Sequence, residues 1–311
     1  MLDRLAKSVF HTLAASPTLK RLASRYGMRG TSGFARRFIA GETVEDAMPA
    51  AREIERAGLQ VTLDYLGESV SSQSAAADAT RAYLDVLDAI AAAGIGRNVS
   101  LKLTQLGLDV DRAICADNLR RILDRATTQS CFVRIDMENS PYTDRTLDVF
   151  ETVWREGYKN TGVVIQSYLT RSEADVRRVN RLGGRVRLVK GAYKEPASVA
   201  FQKKSEVDAA YLELMKILLT EGHAPAIATH DPAMLAATMA FATANSIHRD
   251  EFEFQMLYGI RRDLQTSLSD EGYRFRIYVP FGREWFPYFM RRLGERPANV
   301  GFILRSLARE K

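Results

Sequence analysis

The sequence predicts an α/β fold, a (βα)8 TIM-like barrel preceded by extra N-terminal helices. Two observations carry this. From about Leu59, eight short apolar runs alternate with helical patterns, and a last helix opens after Tyr278. Eight strands each followed by a helix close as a parallel barrel, whereas doubly wound sheets usually hold roughly five to seven strands. No linker rich in Gly, Ser or Pro divides this region. The expected organisation is therefore a helical arm over residues 1–58 and a barrel over 59–311.

The arm comes first. Leu2, Leu5, Ala6, Val9, Phe10 and Leu13 recur at helical spacing, and Arg4, Lys7, Lys20, Arg21 and Arg25 make the segment basic. It lacks the apolar core and cleavage site of a secretory signal. Packing on the barrel and lying in a membrane interface both fit it. Strands are expected at 60–66, 99–103, 131–137, 162–166, 185–190, 225–229, 253–257 and 275–279. Helices are expected at 75–93, 112–127, 145–156, 173–182, 199–219, 233–244 and 260–270. The final strand turns at Pro280-Phe281-Gly282 into a helix ending near Pro297.

Composition narrows the function classes. The chain has 311 residues, 46% of them apolar, which suffices for a sizeable core. Its net charge of +6 is spread without a basic run, so nucleic acid is not implied. No apolar run approaches ~20 residues, so no membrane span is expected. Cys115 and Cys131 have neither metal-like nor CxxC spacing, and four scattered histidines form no metal cluster. A cytoplasmic location is expected, with the basic arm as the candidate for peripheral contact with the inner face of the membrane.

In such a barrel chemistry sits where strands end. Lys102 follows strand 2, Asp136-Met137-Glu138 strand 3 and Gln166-Ser167-Tyr168 strand 4. Strand 5 carries Arg187 and then Lys190-Gly191-Ala192-Tyr193; Thr229-His230-Asp231 follow strand 6. Strand 7 holds Glu253 and Gln255, and strand 8 ends at Tyr278. Polar residues at one level on seven strands predict a shared catalytic mouth, because buried charges are costly unless paired. Individual residues stay open. His230 suits a satisfied core histidine as well as a ligand-binding one. Asp136 suits an ion pair with Arg187 or Lys102. Lys190 suits a Schiff base, a phosphate contact or a structural charge. Gly191 lets a ligand approach the backbone. Tyr288, Arg291 and Arg292 share one helical face with Glu295 a turn further on. They form either a fork for a small carboxylate or a solvated basic face. No GxGxxG or P-loop occurs.

The segments RLVKGAYKEP, ATHD, FEFQMLYGIR and YVPFGREWFPYFMRRLGERPAN together resemble the monofunctional bacterial proline dehydrogenases, which share their domain with bifunctional proline utilisation enzymes. The likeness runs from about residue 102 to 299. It implies a distorted barrel holding non-covalent FAD, oxidation of L-proline to 1-pyrroline-5-carboxylate, and electron transfer to a membrane quinone. By this resemblance Arg291 and Arg292 bind the proline carboxylate, with Lys102 nearby. Tyr193, Tyr278 and Tyr288 pack on the ring. Asp136 helps build the site and Arg187 donates toward the flavin. Met137, Gln166, Val189, Lys190, Gly191, Ala192, Thr229 and His230 hold the flavin, and Glu295 orients an arginine. Hydroxyproline is the rival substrate, which the bulk of Tyr278 opposes. An unrelated barrel lyase using Lys190 is the other alternative.

Overall fold

Strand β1 (Gln60–Tyr65) pairs in parallel with β8 (Phe275–Phe281) from Gln60 opposite Arg276 to Tyr65 opposite Phe281. This seam closes the sheet into a barrel. The computed structural model describes Met28 and residues 34–295, the side chains of 34 and 293–295 excepted. Between the two seam strands lie β2 (Asn98–Leu101), β3 (Phe132–Ile135), β4 (Thr161–Gln166), β5 (Arg185–Val189), β6 (Ala226–Ala228) and β7 (Glu253–Leu257). They follow in chain order, each parallel to the next. Parallel neighbours need long crossovers. Helices α2 (Gln73–Ala93), α3 (Arg112–Thr128), α4 (Thr143–Arg155), α5 (Ser172–Leu182), α6 (Lys204–Glu221), α7 (Pro232–Ala244) and α8 (Arg262–Asp270) supply them. Helix α1 (Val44–Arg56) precedes β1, and α9 (Trp285–Glu295) follows β8.

Local chemistry sets the helix ends. Thr43 and Asp46 form a capping box at α1, while Ser72, Asp111 and Asp231 cap α2, α3 and α7. The strands then divide their side chains by period two. Val61, Leu63, Val99, Leu101, Val133, Ile135, Val163, Ile165, Val186 and Leu188 are buried in one cluster with Leu87, Leu119, Ile122, Phe150 and Tyr211 of the helices. Most of the intervening residues across the strands are polar, and they are buried too: Thr62, Asp64, Ser100, Arg134, Arg187, Glu253 and Gln255. Barrels of this type usually fill their axis with branched apolar residues. Here the apolar core lies between strands and helices, and the axis is a column of charged and polar side chains.

Two boundaries and one placement differ from expectation in ways that bear on the site. Helix α6 starts at Lys204, not 199, because the segment before it pairs elsewhere. Leu169 and Ala200 form an antiparallel bridge. Thr170 N–H donates to the Val199 carbonyl (3.0 Å) and Phe201 N–H to that of Tyr168 (2.8 Å). Strand β8 continues past Tyr278 to Phe281, since β1 offers partners through Tyr65. Glu253 opens β7 and so lies at the opposite end of the barrel from the strand ends; alternation in sequence gives facing but not level. The amphipathic stretch at 2–13 and residues beyond 295 lie outside the described residues. Among the described residues no helix is long and apolar enough to cross a membrane.

Candidate active site

The polar column gathers into one buried cluster near the strand ends. Lys102 follows β2 and Asp136 follows β3, while Arg187 comes from β5 and Tyr278 from β8. Asp136 Oδ1 accepts from Arg187 Nη1 (2.9 Å) and Ser100 Oγ (3.2 Å), and Oδ2 from the Tyr278 hydroxyl (2.8 Å). Lys102 Nζ lies 3.7 Å from Asp136 Oδ2 and 3.4 Å from Asp64 Oδ1. The Arg187 guanidinium sits 5.2 Å from the Tyr278 ring centre. Two carboxylates thus face two cations. Burial alone would lower the Lys102 ammonium, but Asp64 and Asp136 reverse this and hold it above the usual lysine range. Burial, reinforced by Asp136 and Asp64, pushes the Tyr278 phenol well up, so it stays a hydrogen-bond donor.

A second group joins this cluster from above. Gly282, at φ 129, turns β8 into α9, and a Cβ there would stand 3.1 Å from Leu66 N. Trp285, Phe286 and Phe289 of α9 pack on Phe38 and Ile39, so α9 leans on the segment before α1. Its Arg291 Nη1 pairs with Glu68 Oε1 at 3.0 Å. The Arg292 guanidinium lies 5.1 Å from the Tyr288 ring. Burial first, then Glu68, raises the Tyr193 phenol, while Lys102 and Arg291 oppose the shift. Tyr193 therefore sits within electrostatic reach of Lys102 and Arg291. The side chain of Glu295 lies outside the described residues; among them, Glu68 is the acid paired with Arg291.

A third group lines the ends of β4 to β7. Gln166 Nε2 donates to the carbonyls of Met137 and Glu138, both at 3.0 Å. The Val189 carbonyl accepts from Ser167 N–H (2.8 Å). Thr229 Oγ1 accepts from Asp231 N–H (3.1 Å). His230 Nε2 accepts from the Leu257 N–H (2.9 Å), which places its ring proton on Nδ1. Ala192 is exposed. Lys190 Nζ contacts Asp208 (2.6 Å) and Asp231 (2.8 Å). An amine engaged by two carboxylates is not poised to attack a carbonyl, which removes the support for a Schiff-base lyase. Gly191 has φ 113, and a Cβ there would meet the Tyr168 ring at 2.5 Å, so both the turn and that ring require glycine.

Sequence reasoning missed two residues of these groups, Asp64 and Glu68, and the partner of a third, Glu138. Asp64 sits within an apolar run. Glu68 meets Arg291 across 223 residues. Glu138 follows strand 3 openly, but its partner, Thr104 through N–H (3.2 Å) and Oγ1 (2.6 Å), comes from another loop.

Comparison with known proteins fits this geometry. Residues 47–305 match the family model described as proline dehydrogenase. Proline dehydrogenase 1 of Bacillus subtilis (strain 168) is 41% identical over 306 residues, covering 98% of this chain and 100% of the relative. The proline dehydrogenase of Deinococcus radiodurans is 39% identical over 311 residues, 99% of each chain. Among solved structures, proline utilization A (PutA) from Bdellovibrio bacteriovorus inactivated by N-propargylglycine aligns with TM-score 0.78 and 31% identity. That alignment covers 84% of this chain and 32% of the other.

Proposed function

The chain belongs to the proline dehydrogenase family, and from that premise we propose that it oxidises L-proline to 1-pyrroline-5-carboxylate with FAD as resident cofactor and a membrane quinone as electron acceptor. Membership makes it an oxidoreductase of proline catabolism; the flavin, the product and the acceptor are our reading. The observation that carries it is the buried Lys102–Asp136–Arg187–Tyr278 cluster at the strand ends, in which Arg187 Nε and Nη2 have no protein partner.

Proline offers one carboxylate and an apolar ring. Arg291 and Arg292 supply a bidentate fork for the first, with Lys102 adding positive charge. Tyr193, Tyr278 and Tyr288 supply walls for the second. Asp136 fixes Arg187 and Tyr278, so both present one orientation to a ligand. Helix α9 excludes water over the ring carbon beside nitrogen.

A flavin fits the residues present. Arg187 Nε and Nη2 and Gln166 Oε1 are buried polar atoms without a protein partner, and such atoms call for a ligand that both accepts and donates. Arg187, Gln166, Met137, Val189, Lys190, Gly191, Ala192, Thr229 and His230 would hold it. When bound, FAD supplies the hydride acceptor. The Arg187 charge favours an electron-rich ring. Tyr278, tied to Asp136 at 2.8 Å, would crowd the extra hydroxyl of hydroxyproline by its bulk, which favours proline.

The test is anaerobic addition of L-proline to the purified protein while following the flavin absorbance. The yellow bands should bleach and return on adding a quinone. A protein that retains no flavin, or whose flavin proline leaves oxidised, overturns the reading.

A further inference from the structure

At the end of the barrel where the strands begin lies a cavity of about 240 Å³, lined by Arg97, Arg134, Arg185, Arg274, Arg276 and a single acid, Glu253. Glu253 is already committed. Its oxygens accept from Arg276 Nε (3.0 and 3.2 Å) and Nη2 (3.0 Å), and Gln255 Nε2 donates to it as well. Arg134 is different. It is 4% exposed. Its Nη1 donates to the carbonyls of Arg185 (2.7 Å) and Val163 (3.3 Å), and its guanidinium lies 4.8 Å from the Phe132 ring. Its Nε has no hydrogen-bond partner. Arg97 and Arg274 donate to the main-chain carbonyls of Gln129 and Asp250, each at 2.9 Å. Arg185 lies 5.3 Å from the Phe132 ring. None of these four guanidinium groups forms an ion pair with a described residue.

A buried cation without a carboxylate is costly. Burial, with Arg187 and Arg276 adding to it, pulls the Arg134 guanidinium well below the usual arginine range. Neutral carbonyls and a ring face offset only part of that cost. Converging guanidinium forks match tetrahedral or planar oxyanions. At about 240 Å³ the cavity lies below the ~300 Å³ at which ligand pockets for larger molecules begin. We propose that this floor cavity, at the end of the barrel remote from the proline site, binds a small free oxyanion of the phosphate class, held by Arg134 from within and by Arg97, Arg185 and Arg274 at its rim.

The experiment titrates the purified, flavin-loaded protein with inorganic phosphate by calorimetry and by thermal unfolding, against sodium chloride at matched ionic strength to remove screening effects. One saturable equivalent and a phosphate-dependent rise in the unfolding midpoint are expected. Arg97→Ser and Arg274→Ser alter exposed side chains, so their midpoints in chloride should equal wild type. Each should weaken phosphate about tenfold by losing one charge-assisted contact. Arg134→Met should abolish the titration; where it does not fold, the two rim variants decide. Absence of saturable binding overturns the site. Unchanged affinity in both rim variants overturns it too. A nucleoside monophosphate binding as tightly as phosphate overturns the assignment to a free ion. None of these readouts depends on proline turnover, so failure here leaves the catalytic reading untouched.

Discussion

Lys102 faces two buried carboxylates, Asp64 and Asp136, so Lys102→Met would leave both without their shared cation. Breaking one partner of a buried pair typically costs about 3–5 kcal/mol. A loss of that size is expected in urea unfolding together with a fall in kcat, and an unchanged midpoint would show that the two carboxylates do not need the lysine. Arg291→Lys and Arg292→Lys keep charge but lose the fork. The expected result is a rise in proline KM equivalent to about 1–3 kcal/mol, and unaltered kinetics would take that arginine out of the site. Glu138 makes a pH prediction. Burial pushes its carboxyl up to about 7, with Thr104 and Lys102 opposing. The folded state thus holds this proton more tightly than the unfolded state does. The stabilisation is complete below about pH 4.3, the ordinary glutamate value, and is lost as pH rises through 7. Glu138→Gln removes that dependence. Its stability relative to wild type should therefore improve between about pH 5 and pH 8, by up to ~3 kcal/mol. A difference constant over that range would refute the buried ionisation.

At the scale of elements, α9 carries Arg291 and Arg292 and rests on an aromatic patch with Phe38 and Ile39. Its Arg291 is held by Glu68, which a substrate carboxylate would rival. A non-oxidisable analogue with a carboxylate and a small ring should slow hydrogen exchange over residues 284–295, and Glu68→Ala should speed it without ligand. Equal exchange in all three states would sink the closing motion. These elements also mark how far the sequence could be read. All eight strands and their order were legible, because outward residues such as Val61, Leu63 and Val99 set the apolar runs and Gly or Asx residues punctuate them. The start of α6 was not, because the Leu169–Ala200 bridge that shortens it is non-local. Lys102, Asp136, Arg187 and Tyr278 were legible as strand-end polar residues, and the structure brings them together. Asp64 was hidden in an apolar run and Glu253 was given the wrong end, since facing can be read from alternation while axial height depends on register.

For the whole molecule, the division into an apolar shell and a polar axis separates stability from chemistry. Phe254 is fully buried on the shell side, with Phe252 and Tyr273 each 5.4 Å away centre to centre. Phe254→Ala should cost about 3–5 kcal/mol, seen as an earlier denaturation midpoint, while proline KM holds. A changed KM with unchanged stability would break the division. The seam between β1 and β8 adds a consequence for biosynthesis. The strand that closes the sheet is the last to leave the ribosome, and the arginine helix follows it directly. From Gln60 to Phe281 a chain growing at ~5–20 residues per second needs on the order of 10–40 s. Throughout that interval β1 has no partner on its β8 side, and the newest strand offers a second bare edge to neighbouring nascent chains. Ring closure and the helix carrying Arg291 and Arg292 then arrive within one short stretch of translation, so a ribosome that stalls before β8 releases a chain with an open sheet, primed to stick to its own kind.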